Sequence, residues 1–181
     1  MIKKYKTLVK EKFMKPILII KEEIIEILIN HCCIDEYLEC GGFLFGQIID
    51  NDEYFKIYVD GIYYDSNERG TDISYYFSFI SRIRAESWGI KNGYQLIGCY
   101  HSHGKYNAIF SEVDRNILEK KWNSNKLVMI YSPSYNKLVC DFVTNSKTYS
   151  MKIFILNKFN EIIRLDKYLK TNKLKMKVKK R

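Results

Sequence analysis

The sequence predicts an α+β sheet domain, and three observations carry that prediction. Short β-prone apolar runs recur between residues 41 and 156, most of them separated only by polar turns, as hairpins require. Two or three other segments repeat their apolar residues at helical intervals. A length of 181 residues, 46% hydrophobic and 15% aromatic with only 2 Pro and 9 Gly, suits one folded domain and excludes disordered or collagen-like chains. Strands interspersed with helices and joined mostly as hairpins give the α+β class.

The elements follow in order. Pro16 to Ile20 is apolar but too short for the core of a signal peptide, and Glu22 and Glu23 close it off. No apolar stretch approaches a membrane span, so the sequence reads as a soluble, cytoplasmic protein. Lys21 to His31 alternates acids with Ile and Leu as an amphipathic helix does, with both glutamates placed in its first turn; its isoleucines also allow a strand. Gly41–Ile49 and Phe55–Tyr64 read as an antiparallel pair across the turn Asp50-Asn51-Asp52-Glu53, and a polar loop follows from Asp65 to Ser74. Ile80, Ile83 and Trp88 mark a helix over Phe79–Lys91 that ends at Asn92-Gly93. Gln95–Tyr100 is a buried strand running into His101-Ser102-His103. After a loop, Ser111 opens a helix through Asn116, Leu118 and Trp122. Leu127–Tyr131 and Lys137–Val143 are strands about the turn Ser132-Pro133-Ser134, and Tyr149–Leu156 is another.

The net charge of +9 is unevenly placed. Residues 1–15 hold six lysines against one glutamate, and residues 170–181 hold seven Lys/Arg and no acid, which leaves 16–169 at −3. The organisation expected is therefore a basic N-terminal segment (1–15), one domain (16–165) and a basic C-terminal tail (166–181). A mildly acidic body argues against nucleic acid as the partner, and the ends read as solvated tails; a tail gripping an acidic partner or phosphates is the sharper alternative. Five cysteines with no Cys-x-x-Cys give neither a zinc ribbon nor a thioredoxin motif, so they read as reduced, mostly buried thiols.

Chemistry concentrates between His101 and Asp114. Residues two apart on an extended chain face the same side, so His101 and His103 can present both imidazoles to one point. Asp114, in the first turn of the following helix, can add an anionic ligand. Two histidines and a carboxylate hold Zn²⁺ with one position open, the mark of a catalytic site. Ser111-x-x-Asp114 alone is an ordinary helix-capping pattern. With 3 His, 12 Ser and 9 Asp in the chain, the joint pattern His-x-His-x7-Ser-x-x-Asp arises by chance with probability on the order of 10⁻⁴.

This segment resembles the signature of the JAMM (JAB1/MPN/MOV34-type, or MPN+) zinc metalloproteases, at His101, Ser102, His103, Ser111 and Asp114. The lead-in Leu96-Ile-Gly-Cys-Tyr100 resembles the strand before the first His of that family. Glu39-Cys40-Gly41-Gly42-Phe43-Leu44-Phe45-Gly46 resembles the Glu-x-Gly-Gly-x-Leu-x-Gly neighbourhood of prokaryotic members. The likeness spans about residues 20–155 and implies an MPN/JAB-like (cytidine-deaminase-like) mixed sheet flanked by two or three helices.

It further implies one Zn²⁺ per chain on His101, His103 and Asp114, with Glu39 as general base and Ser111 as hydrogen-bond donor to the oxyanion. Glu36 is the rival base; the glycine context after Glu39 favours Glu39. The activity implied is a peptidase or isopeptidase acting at the C-terminal tail of a ubiquitin-like protein or its conjugate. The alternatives are a non-catalytic MPN-type interaction module and a nucleic-acid-associated protein acting through its basic ends. Where many members carry Pro after the second His, Gly104 stands here, which would leave the ligands intact and loosen the loop to Ser111. His31 lacks a partner at useful spacing. Cys40 and Cys99, next to site residues, read as core, and Tyr75, Tyr76, Phe77 and Phe79 as packing.

Overall fold

A computed structural model describes residues 16–35, 37–50, 55–64, 70–72, 74–115, 126–144 and 148–178, with side chains through 172. Among these residues the strands are β1 (Ile17–Lys21), β2 (Gly41–Asp50), β3 (Phe55–Tyr63), β4 (Gln95–Ser102), β5 (Lys126–Ser132), β6 (Lys137–Val143), β7 (Thr148–Ser150), β8 (Lys152–Leu156) and β9 (Ile162–Arg164). The helices are α1 (Glu22–Cys32), α2 (Phe79–Asn92) and α3 (Leu165–Val178). All nine strands join one mixed sheet in the order β7-β6-β5-β4-β2-β3-β1-β8-β9.

β7 and β8 are neighbours in sequence, separated only by Met151, yet six strands lie between them in the sheet. The sheet must therefore curl until its two halves meet. Met151 N–H donates to Cys140 O on β6 (2.9 Å) and Lys152 N–H to Pro16 O before β1 (3.3 Å). Phe55 of β3 meets Phe142 of β6 with ring centroids 4.9 Å apart.

Helix α1 fills the concave side, burying Ile24, Ile25, Leu28, Ile29 and Cys32, an i, i+1, i+4, i+5, i+8 stripe that matches the helical period. α2 lies on the convex side against β2 and β4. Ser78 caps its start by accepting from Ser81 N–H (3.0 Å), and Gly93 ends it in the left-handed conformation (φ 72°), as Asn92-Gly93 predicts.

Four expectations are corrected. The Pro16–Ile20 run supplies β1, a central strand parallel to both β3 and β8; strands covered on both faces are continuously apolar, so no alternation betrays them. β4 and β5 are also parallel, so hairpins are not the rule throughout. The single strand expected over 149–156 breaks at Met151 into β7 and β8, because its halves pair with opposite halves of the sheet. The segment assigned to a solvated tail from 166 begins as a packed helix. Leu165, Tyr168 and Leu169, at helical spacing, join the concave core, and the Tyr168 hydroxyl donates to Glu26 Oε1 on α1 (3.4 Å). The 51–54 part of the first turn, residues 1–15 and the continuation of the Ser111 helix through Trp122 lie outside the described residues. No described helix is long and apolar enough to cross a membrane.

Candidate metal centre

β4 ends in the center of the sheet, where β2 runs antiparallel on one side and β5 parallel on the other. Its last residues alternate: Tyr100 and Ser102 point to the concave face, His101 and His103 to the convex one. The backbone beyond β4 is held at both edges. Ser102 N–H donates to Cys40 O (2.8 Å) and His103 N–H to Tyr131 O (2.9 Å).

His101 and His103 are buried, and their Nε2 atoms stand 3.2 Å apart. Asp114 completes the set, with Oδ1 3.0 Å from His101 Nε2 and Oδ2 3.5 Å from His103 Nε2. One ligand atom from each residue falls within 4.8 Å of the others. Nδ1 of His103 lies 3.1 Å from the Asn107 carbonyl; that acceptor calls for a proton on Nδ1 and leaves Nε2 free as a ligand. Two imidazoles and a carboxylate are a donor set that would fit zinc.

Asp114 is aimed by a reciprocal cap. Ser111 N–H and Oγ–H both donate to Asp114 Oδ2 (2.7 and 2.5 Å), while Asp114 N–H donates to Ser111 Oγ (3.1 Å). The capping pattern and the ligand pattern are thus one arrangement. Burial opposes ionisation of Asp114, but hydrogen bonds from His101, His103 and Ser111 hold its carboxyl far below the usual range. In His103 burial disfavours the imidazolium; the bond to Asp114 and the Asn107 carbonyl outweigh it and raise the pKa.

Glu39 is 5% exposed and reaches the same centre from the residues preceding β2. Its backbone is pinned on both sides, with Glu39 N–H donating to Thr71 O (2.8 Å) and Gly70 N–H to Glu39 O (3.0 Å). Burial pushes its carboxyl pKa up, the nearby His101 and His103 pull it down, and Asp114 pushes it up again. A shielded carboxyl with a raised pKa is suited to accepting and returning a proton. The rival Glu36 lies outside the described residues.

The loop from His103 to Ser111 is tied down rather than loosened. Tyr106 N–H donates to His103 O (2.7 Å), Ser132 Oγ–H donates to Tyr106 O, and Ala108 is fully buried. Gly104 has φ 21°, which the proline ring, fixed near −65°, cannot adopt. Glycine here sets the turn.

Sequence reading missed three contributors. Tyr75 is buried and donates its hydroxyl to Gly41 O (3.2 Å) beside the site; a Cβ on Gly41 would stand 2.6 Å from the Tyr75 ring, so the paired glycines were the available signal. The Asn107 carbonyl carries no side-chain signature. His31, set aside for want of a partner, has Nδ1 2.8 Å from the Tyr100 hydroxyl, 69 residues away. Of the aromatic segment, Tyr75 and Phe77 pack together, whereas Tyr76 and Phe79 are exposed. Cys99 is core, its thiol pushed up to about 12 by burial, while Cys40 is only partly buried.

The solution structure of protein DSY2949 from Desulfitobacterium hafniense shares this fold, with a TM-score of 0.62 at 19% identity over 78% of this chain and 94% of that one. No curated protein matches this chain. The sequence profile of the prokaryotic homologues of the JAB domain matches residues 21–148, which include Glu39 and every ligand of the His101–His103–Asp114 centre. By that match, the chain belongs to the prokaryotic JAB-domain homologues.

Proposed function

We propose that this chain is a zinc-dependent peptidase or isopeptidase, with the C-terminal tail of a ubiquitin-like protein or its conjugate as substrate. The observation that carries the reading is the convergence of three ligand atoms within 4.8 Å, beside a carboxylic acid buried to 5% exposure. His101, His103 and Asp114 hold the ion. A zinc ion bound by these residues would supply Lewis acidity to a scissile carbonyl and to water.

The remaining steps belong to the chain's own residues. Glu39 accepts the proton of the attacking water and returns it to the leaving amine; proton transfer of this kind contributes about 10²–10⁴-fold. Ser111 turns its hydroxyl from Asp114 Oδ2 to the developing oxyanion, exchanging one charge-assisted hydrogen bond for another. Asn107 keeps the His103 tautomer that leaves Nε2 to the metal.

The purified chain should hold about one zinc per molecule, as one three-ligand site implies. It should cleave members of a panel of ubiquitin-like C-terminal fusions in a chelator-sensitive way. Glu39→Gln should retain the zinc and lose turnover by about 10²–10⁴-fold. Zinc-free protein that cleaves nothing on the panel would instead mark an interaction module.

A further inference from the structure

We propose that this chain forms a homodimer through α2, laid parallel against α2 of a second copy. The outer face of the helix carries its large apolar side chains: Phe79 (76% exposed), Ile80 (61%), Ile83 (46%) and Ile90 (81%). The face against the sheet buries only Ser81, Ala85 and Gly89. An amphipathic helix of a lone domain turns its apolar stripe to the core; α2 does the reverse. It cannot roll over to hide the isoleucines. A Cβ on Gly89 would stand 2.4 Å from the Phe45 ring, so the inner side must stay small. Trp88 packs on Phe45 with ring centroids 5.0 Å apart, and the caps at Ser78 and Gly93 fix both ends.

The spacing and charge of the outer face select the occupant. Ile80, Ile83, Ser87 and Ile90 recur at the three-and-four spacing of an a-d-a-d seam, which packs against a helix bearing the same seam. Small Ser87 at the second a position lets the two axes approach. With a at 80 and 87, Phe79 and Glu86 fall at g, and Arg84 and Lys91 at e. In a parallel pair each g residue meets the next e residue of the other helix. Glu86 then meets Lys91 of the second copy, and Phe79 offers its ring to the guanidinium of Arg84 of that copy. The twofold axis makes each contact twice. Glu86 is held on that flank by Arg82 of its own chain, with Nε 2.9 Å from Oε1.

An antiparallel pair would instead set Arg84 against Arg84 and Glu86 against Glu86, like charges that repel. A lipid surface would favour cations along both borders of the apolar stripe, and Glu86 stands on one of them.

The test measures the mass of the purified chain in solution by sedimentation equilibrium. The wild type should sediment at twice the 21.6 kDa of one chain. Ile83→Glu should sediment as a monomer with an unchanged helix signal. Lys91→Glu and Glu86→Lys should each weaken the dimer on the order of tenfold, and the double variant should return to within about threefold of wild type. Orientation is read by oxidising Ile80→Cys. In a parallel pair the two introduced thiols face each other and crosslink; in an antiparallel one Ile80 faces Ile90, and its two copies stand about 15 Å apart, beyond the reach of a disulfide.

A wild type that stays at the mass of one chain overturns the proposal, and if that monomer pellets with phosphatidylglycerol vesicles the stripe belongs to a membrane surface instead. A dimer indifferent to Ile83→Glu, a double variant no tighter than either single one, or a crosslink that needs Ile80→Cys paired with Ile90→Cys overturns it equally. None of these readouts requires zinc or hydrolysis, so failure of the peptidase reading leaves them intact.

Discussion

The two faces of the sheet divide the work of the molecule. On the concave face α1 buries four large aliphatic side chains and Cys32, and α3 adds Leu165, Tyr168 and Leu169 to the same cluster. On the convex face α2 buries only Ser81, Ala85 and Gly89, while Phe79, Ile80, Ile83 and Ile90 are exposed. Several buried polar groups gather there instead: His101 from β4 and His103 just beyond it, Lys126 and Ser132 from β5, and Asp141 of β6, which pairs across from Val128. The larger, mainly aliphatic cluster lies on the concave face, while the convex face sets a smaller aromatic cluster around Phe43 and Phe45 on the same side as the candidate metal centre. Because neighbouring strand residues alternate, one strand serves both without compromise: Tyr100 packs toward α1 while His101 faces the metal centre.

That division can be broken from either side. The largest effect is expected for His103→Ala, which should abolish zinc binding and turnover, with metal analysis of the purified protein as the check; stoichiometric zinc in the variant would remove His103 from the ligand set. From the concave face, Leu28→Ala should cost about 2–5 kcal/mol in denaturant unfolding because Leu28 is fully buried, while zinc stoichiometry stays unchanged. A variant that lost metal in proportion to stability would show the faces to be coupled.

Ser111→Ala separates capping from catalysis. Turnover should fall about 10²-fold through the lost oxyanion donor, against about 1 kcal/mol of stability from the lost cap, with zinc retained. The smallest effect concerns charge on the convex face. Burial, aided by Arg82, lowers the Lys126 pKa from 10.5 to about 8. Below pH 8 the lysine is charged in both folded and unfolded chains, and the folded state bears the whole desolvation penalty. Between about 8 and 10.5 the folded chain binds fewer protons than the unfolded one, so this contribution to stability rises with pH. Lys126→Met should therefore stabilise the protein at pH 7 by on the order of 1 kcal/mol, and the advantage should shrink across that window in thermal melts taken at successive pH values.

Local patterns were legible wherever a segment's own residues decided its state. α1 declared itself by its stripe, α2 by its Asn92-Gly93 stop, although the Ile80 and Ile83 that suggested the helix are exposed in it, and β2 with β3 by two β-prone runs about a polar turn. β1 did not, because a strand covered on both faces has no alternation to read. α3 did not, because its run of lysines masks three apolar residues at helical spacing. The break at Met151 was invisible because it depends on which strands the two halves meet.

The same line divides the site. His101, His103, Ser111 and Asp114 lie within fourteen residues, so alternation along a strand and the first turn of a helix are enough to bring them together, and their spacing alone marked a candidate metal centre. Glu39 reaches them only because β2 pairs with β4 across more than fifty intervening residues, and the meeting of His31 and Tyr100 waits on α1 packing into the concave face of a curled sheet. Dihedral periodicity is a property of the chain and travels with the sequence. Proximity between distant segments is a property of how the sheet closes, and only the packed core sets it.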